Sequence, residues 1–181
     1  MSEQRYICVY CGSSSGTREH YAAAAQALGE AIAARGYGLV YGGGGIGLMG
    51  AVADAVLQAG APVLGVIPRA LMARELGHRH VTELVVVDDM HQRKALMTSR
   101  ATAFVAMPGG YGTLEELFEM VAWLQLEIHD RKIGLLNTAG YFDQLQAFLD
   151  HAVAEGFLQS RHHALLRVGT EPAALLDELL A

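Results

Sequence analysis

Short, almost wholly apolar runs alternate along the chain with longer stretches of helical period. The runs at 5–12, 37–43, 61–68, 82–89, 102–108 and 132–137 are rich in Val, Ile, Leu and Tyr, and read as strands covered on both faces. Between them, 19–36, 48–60, 90–101, 113–129 and 141–156 carry apolar residues at helical spacing. Gly36 is placed to close the first of these helices. The 48–60 segment is apolar on nearly every side, as a buried helix would be. Residues 69–80 show no period and read as a mobile or functional loop containing a helical turn. A short strand at 165–169 and a last helix from Pro172 complete the pattern. No internal repeat or low-complexity linker interrupts it, and 181 residues suit one domain spanning 1–181.

Strands alternating with helices at this spacing predict a Rossmann-like α/β fold, an open parallel sheet with helices on both faces. Ligands of such sheets bind outside the carboxyl ends of the strands, near the point where strand order reverses. Three predicted strands run into glycine loops on that edge: CGSSSG (11–16), GGGGIG (42–47) and PGGYG (108–112). Glycine loops that lead into helices present backbone N–H groups to anions, phosphate above all. Ser13, Ser14, Ser15 and Thr113 can add hydroxyl donors. One such loop is only a turn; three on one edge predict a phosphorylated ligand.

GIGLMG (45–50) matches the dinucleotide fingerprint, but the next strand ends in VIPRA, without the acidic residue that holds a ribose. Arg69 there keeps an NADP-type oxidoreductase open as a rival. No G-x-x-x-x-G-K-[ST] occurs, so a P-loop nucleotidase is not supported.

TLEE (113–116) has the spacing of a capping box, with Thr113 as N-cap and Glu116 three residues on. The same turn adjoins the expected anion site, so spacing alone leaves Glu116 divided between capping and chemistry. MHQRK (90–94) places Arg93 and Lys94 at the start of a helix, against the dipole, where an anionic partner is expected.

Composition narrows the partners. A net charge of -6 and a pI near 5.7, with no basic run, exclude nucleic acid and an anionic membrane surface as natural partners. No stretch is long and apolar enough to span a bilayer, and the first ten residues do not form a signal peptide, so a cytoplasmic location is expected. Cys8 and Cys11 form a C-x-x-C, but three apart along a strand they point to opposite faces, which argues against redox or zinc chemistry. His78 with His80, and His162 with His163, lack a third ligand at metal spacing. No metal and no cofactor are implied.

PGGYGTLEE (108–116) and the upstream MHQRK, preceded in order by CGSSSG and YGGGGIGLMG, resemble the signatures of the LOG ("lonely guy") family. These are cytokinin-activating nucleoside 5′-monophosphate phosphoribohydrolases, some of which were once labelled lysine decarboxylases. The resemblance runs from about residue 7 to residue 137. It implies hydrolysis of the N-glycosidic bond of an adenosine 5′-monophosphate, N6-prenylated or plain, to free base and ribose 5-phosphate. It implies Arg93 and Glu116 as the catalytic pair. Substrate binding would fall to Ser13 of the first loop, Gly43 and Gly44 of the second, and Gly109, Gly110, Tyr111, Gly112 and Thr113 of the third. Glu75 and Lys94 match further substrate positions. Homodimers, or larger homo-oligomers, are the family's expected assembly, commonly through the helix bearing the glutamate motif, where Trp123 suits either that interface or the core. A second carboxylate for the reaction has no firm candidate among Glu115, Asp88 and Asp89. The alternative is a non-catalytic nucleotide or molybdenum-cofactor carrier of related fold, which would not need the Arg93–Glu116 pair.

Overall fold

The computed structural model describes residues 4–72 and 76–181. Seven strands, β1 (Tyr6–Tyr10), β2 (Gly38–Tyr41), β3 (Val63–Pro68), β4 (Glu83–Val87), β5 (Ala101–Ala106), β6 (Ile133–Leu136) and β7 (Leu166–Gly169), form one sheet. Every pairing is parallel and the order is β4-β3-β2-β1-β5-β6-β7. All six principal strands expected from the apolar runs form, and so does the short seventh. Strand order reverses between β1 and β5, which therefore flank the switch-point crevice.

Helices α1 (Glu19–Ala34), α2 (Gly47–Gln58), α3 (Met90–Arg100), α4 (Tyr111–Gln125), α5 (Asp143–Ala154), α6 (Ser160–His163) and α7 (Pro172–Leu180) cover the two faces. The period-2 alternation of β1 divides the core. Ile7 and Val9 pack with Leu28, Ile32, Val52 and Leu176 of α1, α2 and α7. Cys8 and Tyr10 pack on the other side with Met97, Leu117 and Met120 of α3 and α4. Cys8 and Cys11 thus face opposite layers and are both free thiols, as strand geometry requires. Helices α1 and α2 cross closely: a Cβ on Gly29 would lie 2.6 Å from that of Ala55. Where 69–80 lacks a period, the described part holds a 3-10 turn at Arg69–Leu71 and a bridge from Gly77 to Gly44. The four-residue α6 was not legible in the pattern.

One helix start resolves differently from the sequence reading. Helix α4 begins at Tyr111, with Gly110 as its N-cap and no side-chain cap, so Thr113 is the third helical residue. Glu116 is the sixth and lies in the second turn, and the TLEE capping box does not form. Side-chain capping occurs instead on α3, whose N-cap is Asp89. The Asp89 side chain accepts from the Gln92 N–H at 2.8 Å, while the Gln92 side chain accepts from the Asp88 N–H at 3.2 Å.

Candidate active site

The three glycine loops do converge. The first and third are joined across the crevice by the Gly12 N–H, which donates to the Pro108 carbonyl at 3.0 Å. The second meets the first at the start of α2, where the Leu48 and Met49 N–H groups both point at the Gly12 carbonyl. Gly47, at φ 63°, permits this: a side chain there would collide with the Ser13 backbone. The α2 terminus is therefore occupied by protein, and GIGLMG docks one loop on another rather than receiving a pyrophosphate. That removes the structural basis of the dinucleotide reading.

Beside this junction lies a cleft of about 360 Å³, within the size range of small-molecule sites. Tyr10 to Ser13, Gly42, Arg93, Gly110 to Thr113 and Glu116 line it, with Met49, Leu71 and Met90 as apolar walls. Arg93 and Glu116 therefore face one space, although α3 and α4 carry them from different parts of the chain. On α4, Gly112, Thr113 and Glu116 share a face by helical spacing. The first intrahelical bond of α4 runs from Leu114 N–H to the Gly110 carbonyl, so the amides of Tyr111, Gly112 and Thr113 precede it at the positive end of the helix. A Cβ on Gly110 or Gly112 would touch nothing within 4 Å, so the approach to these amides is open. Gly109 is required for a different reason, because a Cβ there would strike the Thr113 hydroxyl.

Arg93 is only 4% exposed. Its Nε donates to the Val66 carbonyl at 3.1 Å and a terminal nitrogen to the Gly42 carbonyl at 2.6 Å. A buried cation is tolerable only with such partners. Val66 lies within β3 and Gly42 directly follows β2, so these two contacts tie the guanidinium to the sheet, while a third, to the Met90 sulfur at 3.7 Å, comes from its own helix. Glu116 is half-buried, and its charge is felt deep in the crevice. Burial, with Glu116's negative charge adding to it, pushes the Cys8 and Cys11 thiols well up. The Tyr10 phenol is also raised, first by burial. None of these three is a nucleophile at neutral pH.

The other expected residues fall outside this cleft. Lys94 donates to Glu115 at 2.6 Å and Glu119 at 3.1 Å. Burial opposes its charge, but the two carboxylates outweigh that and raise its pKa. Gly43 and Gly44 point their carbonyls at the His78 N–H and the Tyr41 hydroxyl. Gly109 lines a neighbouring cavity with Ser13, Tyr21 and Tyr141. Of the candidates for a second carboxylate, Glu115 is engaged by Lys94 and Asp89 caps α3. Glu75 lies outside the described residues. Among those described, no group of three metal-ligating side chains occurs, and no helix is long and apolar enough to cross a membrane. Sequence reasoning missed the acceptors of Arg93, for which only the glycine at 42 gave a signal.

Fold and site together define a doubly wound protein with an arginine–carboxylate cleft at the switch point, beside an open helix N-terminus. Residues 49–179 match a family model described as possible lysine decarboxylase. A probable cytokinin riboside 5′-monophosphate phosphoribohydrolase of Oryza sativa subsp. japonica is 49% identical over 178 residues, 98% of this chain and 73% of the relative. A cytokinin riboside 5′-monophosphate phosphoribohydrolase of Arabidopsis thaliana is 52% identical over 163 residues, covering 90% and 72%. The chain belongs to the LOG family. Among solved structures, the molybdenum cofactor carrier protein of Chlamydomonas reinhardtii superposes with a TM-score of 0.72 at 23% identity, over 98% of this chain and 99% of that one. The molybdenum cofactor binding protein of Rippkaea orientalis gives 0.73 at 18% identity, covering both chains completely. These two likenesses show the fold alone.

Proposed function

We propose that this protein is a nucleoside 5′-monophosphate phosphoribohydrolase acting on adenosine 5′-monophosphates, the N6-prenylated cytokinin precursors among them. The observation that carries the reading is the shared cleft of Arg93 and Glu116 beside the α4 N-terminus. The curated relatives, about half identical over nearly the whole chain, carry that activity in their names.

The amides of Tyr111, Gly112 and Thr113 receive the 5′-phosphate, with Ser13 and the Thr113 hydroxyl beside them. The ribose then lies over Glu116, one helical turn further along α4. As the C1′–N9 bond breaks, positive charge develops at C1′ and the ring oxygen, and the carboxylate stabilises it. The Glu116 carboxylate orients the water and takes its proton as the water oxygen bonds to C1′. The departing base gains one proton, and the products are free base and ribose 5-phosphate. Arg93, held by two carbonyls, presents its remaining N–H donors to the anionic groups of the site. Substrate binding at Glu75 and Lys94, a homodimer built through α4, and a cytoplasmic location complete the proposal. Phe118 on α4 is 36% exposed and supports the dimer, whereas Trp123 packs against the core.

The test is to incubate purified protein with AMP and with N6-isopentenyl-AMP and to separate base from nucleotide. Equimolar base and ribose 5-phosphate establish the reaction, and the two rates rank the bases. Tight binding of both nucleotides without release of base would favour a carrier.

A further inference from the structure

The second glycine loop spends its carbonyls on protein. Gly42 accepts from Arg93, Gly43 from the His78 N–H at 2.9 Å, and Gly44 from the Tyr41 hydroxyl at 3.1 Å. The Gly45 N–H donates to the Leu76 carbonyl at 2.9 Å, and Gly44 and Gly77 form an antiparallel bridge. Residues 76–78 are therefore zipped along the loop whose first carbonyl fixes Arg93. The contact is close: a Cβ on Gly45 would lie 2.6 Å from the Leu76 carbonyl oxygen.

Segment 76–80 belongs to no strand or helix, so something else must hold it in place. His78 is 8% exposed and uses both ring nitrogens. Nδ1 accepts from the His80 N–H at 3.3 Å, and Nε2 lies 3.0 Å from a carboxylate oxygen of Asp54 on α2. A backbone amide only donates, so Nδ1 is the acceptor and Nε2–H is the donor to Asp54. With both nitrogens engaged, the ring is not poised for proton transfer. It ties segment 76–80 to α2.

We propose that the Asp54–His78 pair is a positioning device for Arg93. It clamps segment 76–80 onto the second glycine loop, and the loop's Gly42 carbonyl in turn sets where the guanidinium sits. The pair lies outside the lining of the Arg93–Glu116 cleft. Its loss lets the loop shift, and a small displacement of Arg93 is felt in turnover rather than in nucleotide binding at the α4 amides. The role rests on the phosphoribohydrolase reading above.

Base release from AMP by His78→Leu, His78→Gln, Asp54→Ala and the double variant His78→Leu/Asp54→Ala tests it, alongside wild type, with rates expressed per folded protein. His78→Leu and Asp54→Ala are each expected to lower kcat about 10- to 100-fold with KM for AMP unchanged. The double variant is expected to be no worse than the worse single one, because both remove one link. Glutamine carries an N–H close to the position of Nε2, so His78→Gln is expected to recover most of kcat. A merely structural role would reduce the folded fraction without this split or this rescue. Normal kcat in both single variants, or equal impairment by Leu and Gln, would overturn the proposal. Should His78→Leu fail to fold, Asp54→Ala, at an exposed carboxylate, decides alone. Absence of base release from wild type would instead bring down the hydrolase reading, and this role with it.

Discussion

Arg93 and Gly42, 51 positions apart in the chain, meet at 2.6 Å, guanidinium nitrogen to carbonyl oxygen. A Cβ at Gly42 would lie inside the guanidinium's own van der Waals space. The glycine is there for proximity rather than for a turn. Gly42→Ala is expected to displace Arg93 and to lower kcat by about 100-fold, while α3, capped by Asp89, stays intact. Turnover measured beside far-ultraviolet circular dichroism checks both halves.

Arg93→Lys keeps the charge and loses the fork. A single ammonium cannot satisfy the Gly42 and Val66 carbonyls in the same geometry, and each hydrogen bond from a charged donor is worth about 1.5–3 kcal/mol. Loss of activity with a stability deficit of that order is expected in denaturant unfolding. Wild-type stability in this variant would show that the carbonyl contacts matter less than their lengths imply.

The two adjacent glycines of the third loop have separable roles. Gly109→Ala drives a methyl group into the Thr113 hydroxyl and is expected to cost about 1–3 kcal/mol. Gly110→Ala meets nothing within 4 Å, so its effect on stability is expected to be small. Thermal unfolding of the pair, read together, distinguishes packing at the loop from mere chain flexibility.

Much of this was legible in advance. The apolar runs locate all seven strands: the inner ones, covered on both faces, are almost wholly apolar, while the edge strands β4 and β7 carry exposed positions such as Glu83 and Arg167. The glycine loops reveal the ligand edge, because each follows a strand. The TLEE pattern misled because capping depends on where the backbone turns, and Gly110, free of a Cβ, lets α4 begin two residues early at Tyr111. Asp89 and Gln92 stand at the same spacing, and there the first side chain does cap its helix. The acceptors of Arg93 were invisible for a different reason: Gly42 and Val66 lie 51 and 27 residues away, and only the sheet brings them together.

His129 links stability to pH. Its Nε2 bonds the Met120 carbonyl at 3.0 Å, and its Nδ1 accepts from the Arg131 N–H at 3.1 Å. Burial lowers its pKa, with Arg131 adding to the effect against the Met120 bond. The folded form therefore favours neutral imidazole. Its contribution is complete above the ordinary histidine value of about 6.5 and is lost as pH falls from there toward the lower folded value. Melting temperatures between pH 7.5 and 5.5 are expected to fall for wild type and to fall less for His129→Gln.

The central claim is that Glu116 is a chemical group rather than a helix cap. Because Glu116 lies in the second turn of α4, six residues after the Gly110 N-cap, Glu116→Gln is expected to leave the helix terminus undisturbed. The measurement is base release from AMP by this variant, at wild-type folding and with nucleotide binding confirmed. The account predicts a loss of about 10²- to 10⁴-fold in kcat with binding retained. Turnover at the wild-type rate would contradict it and remove Glu116 from the mechanism.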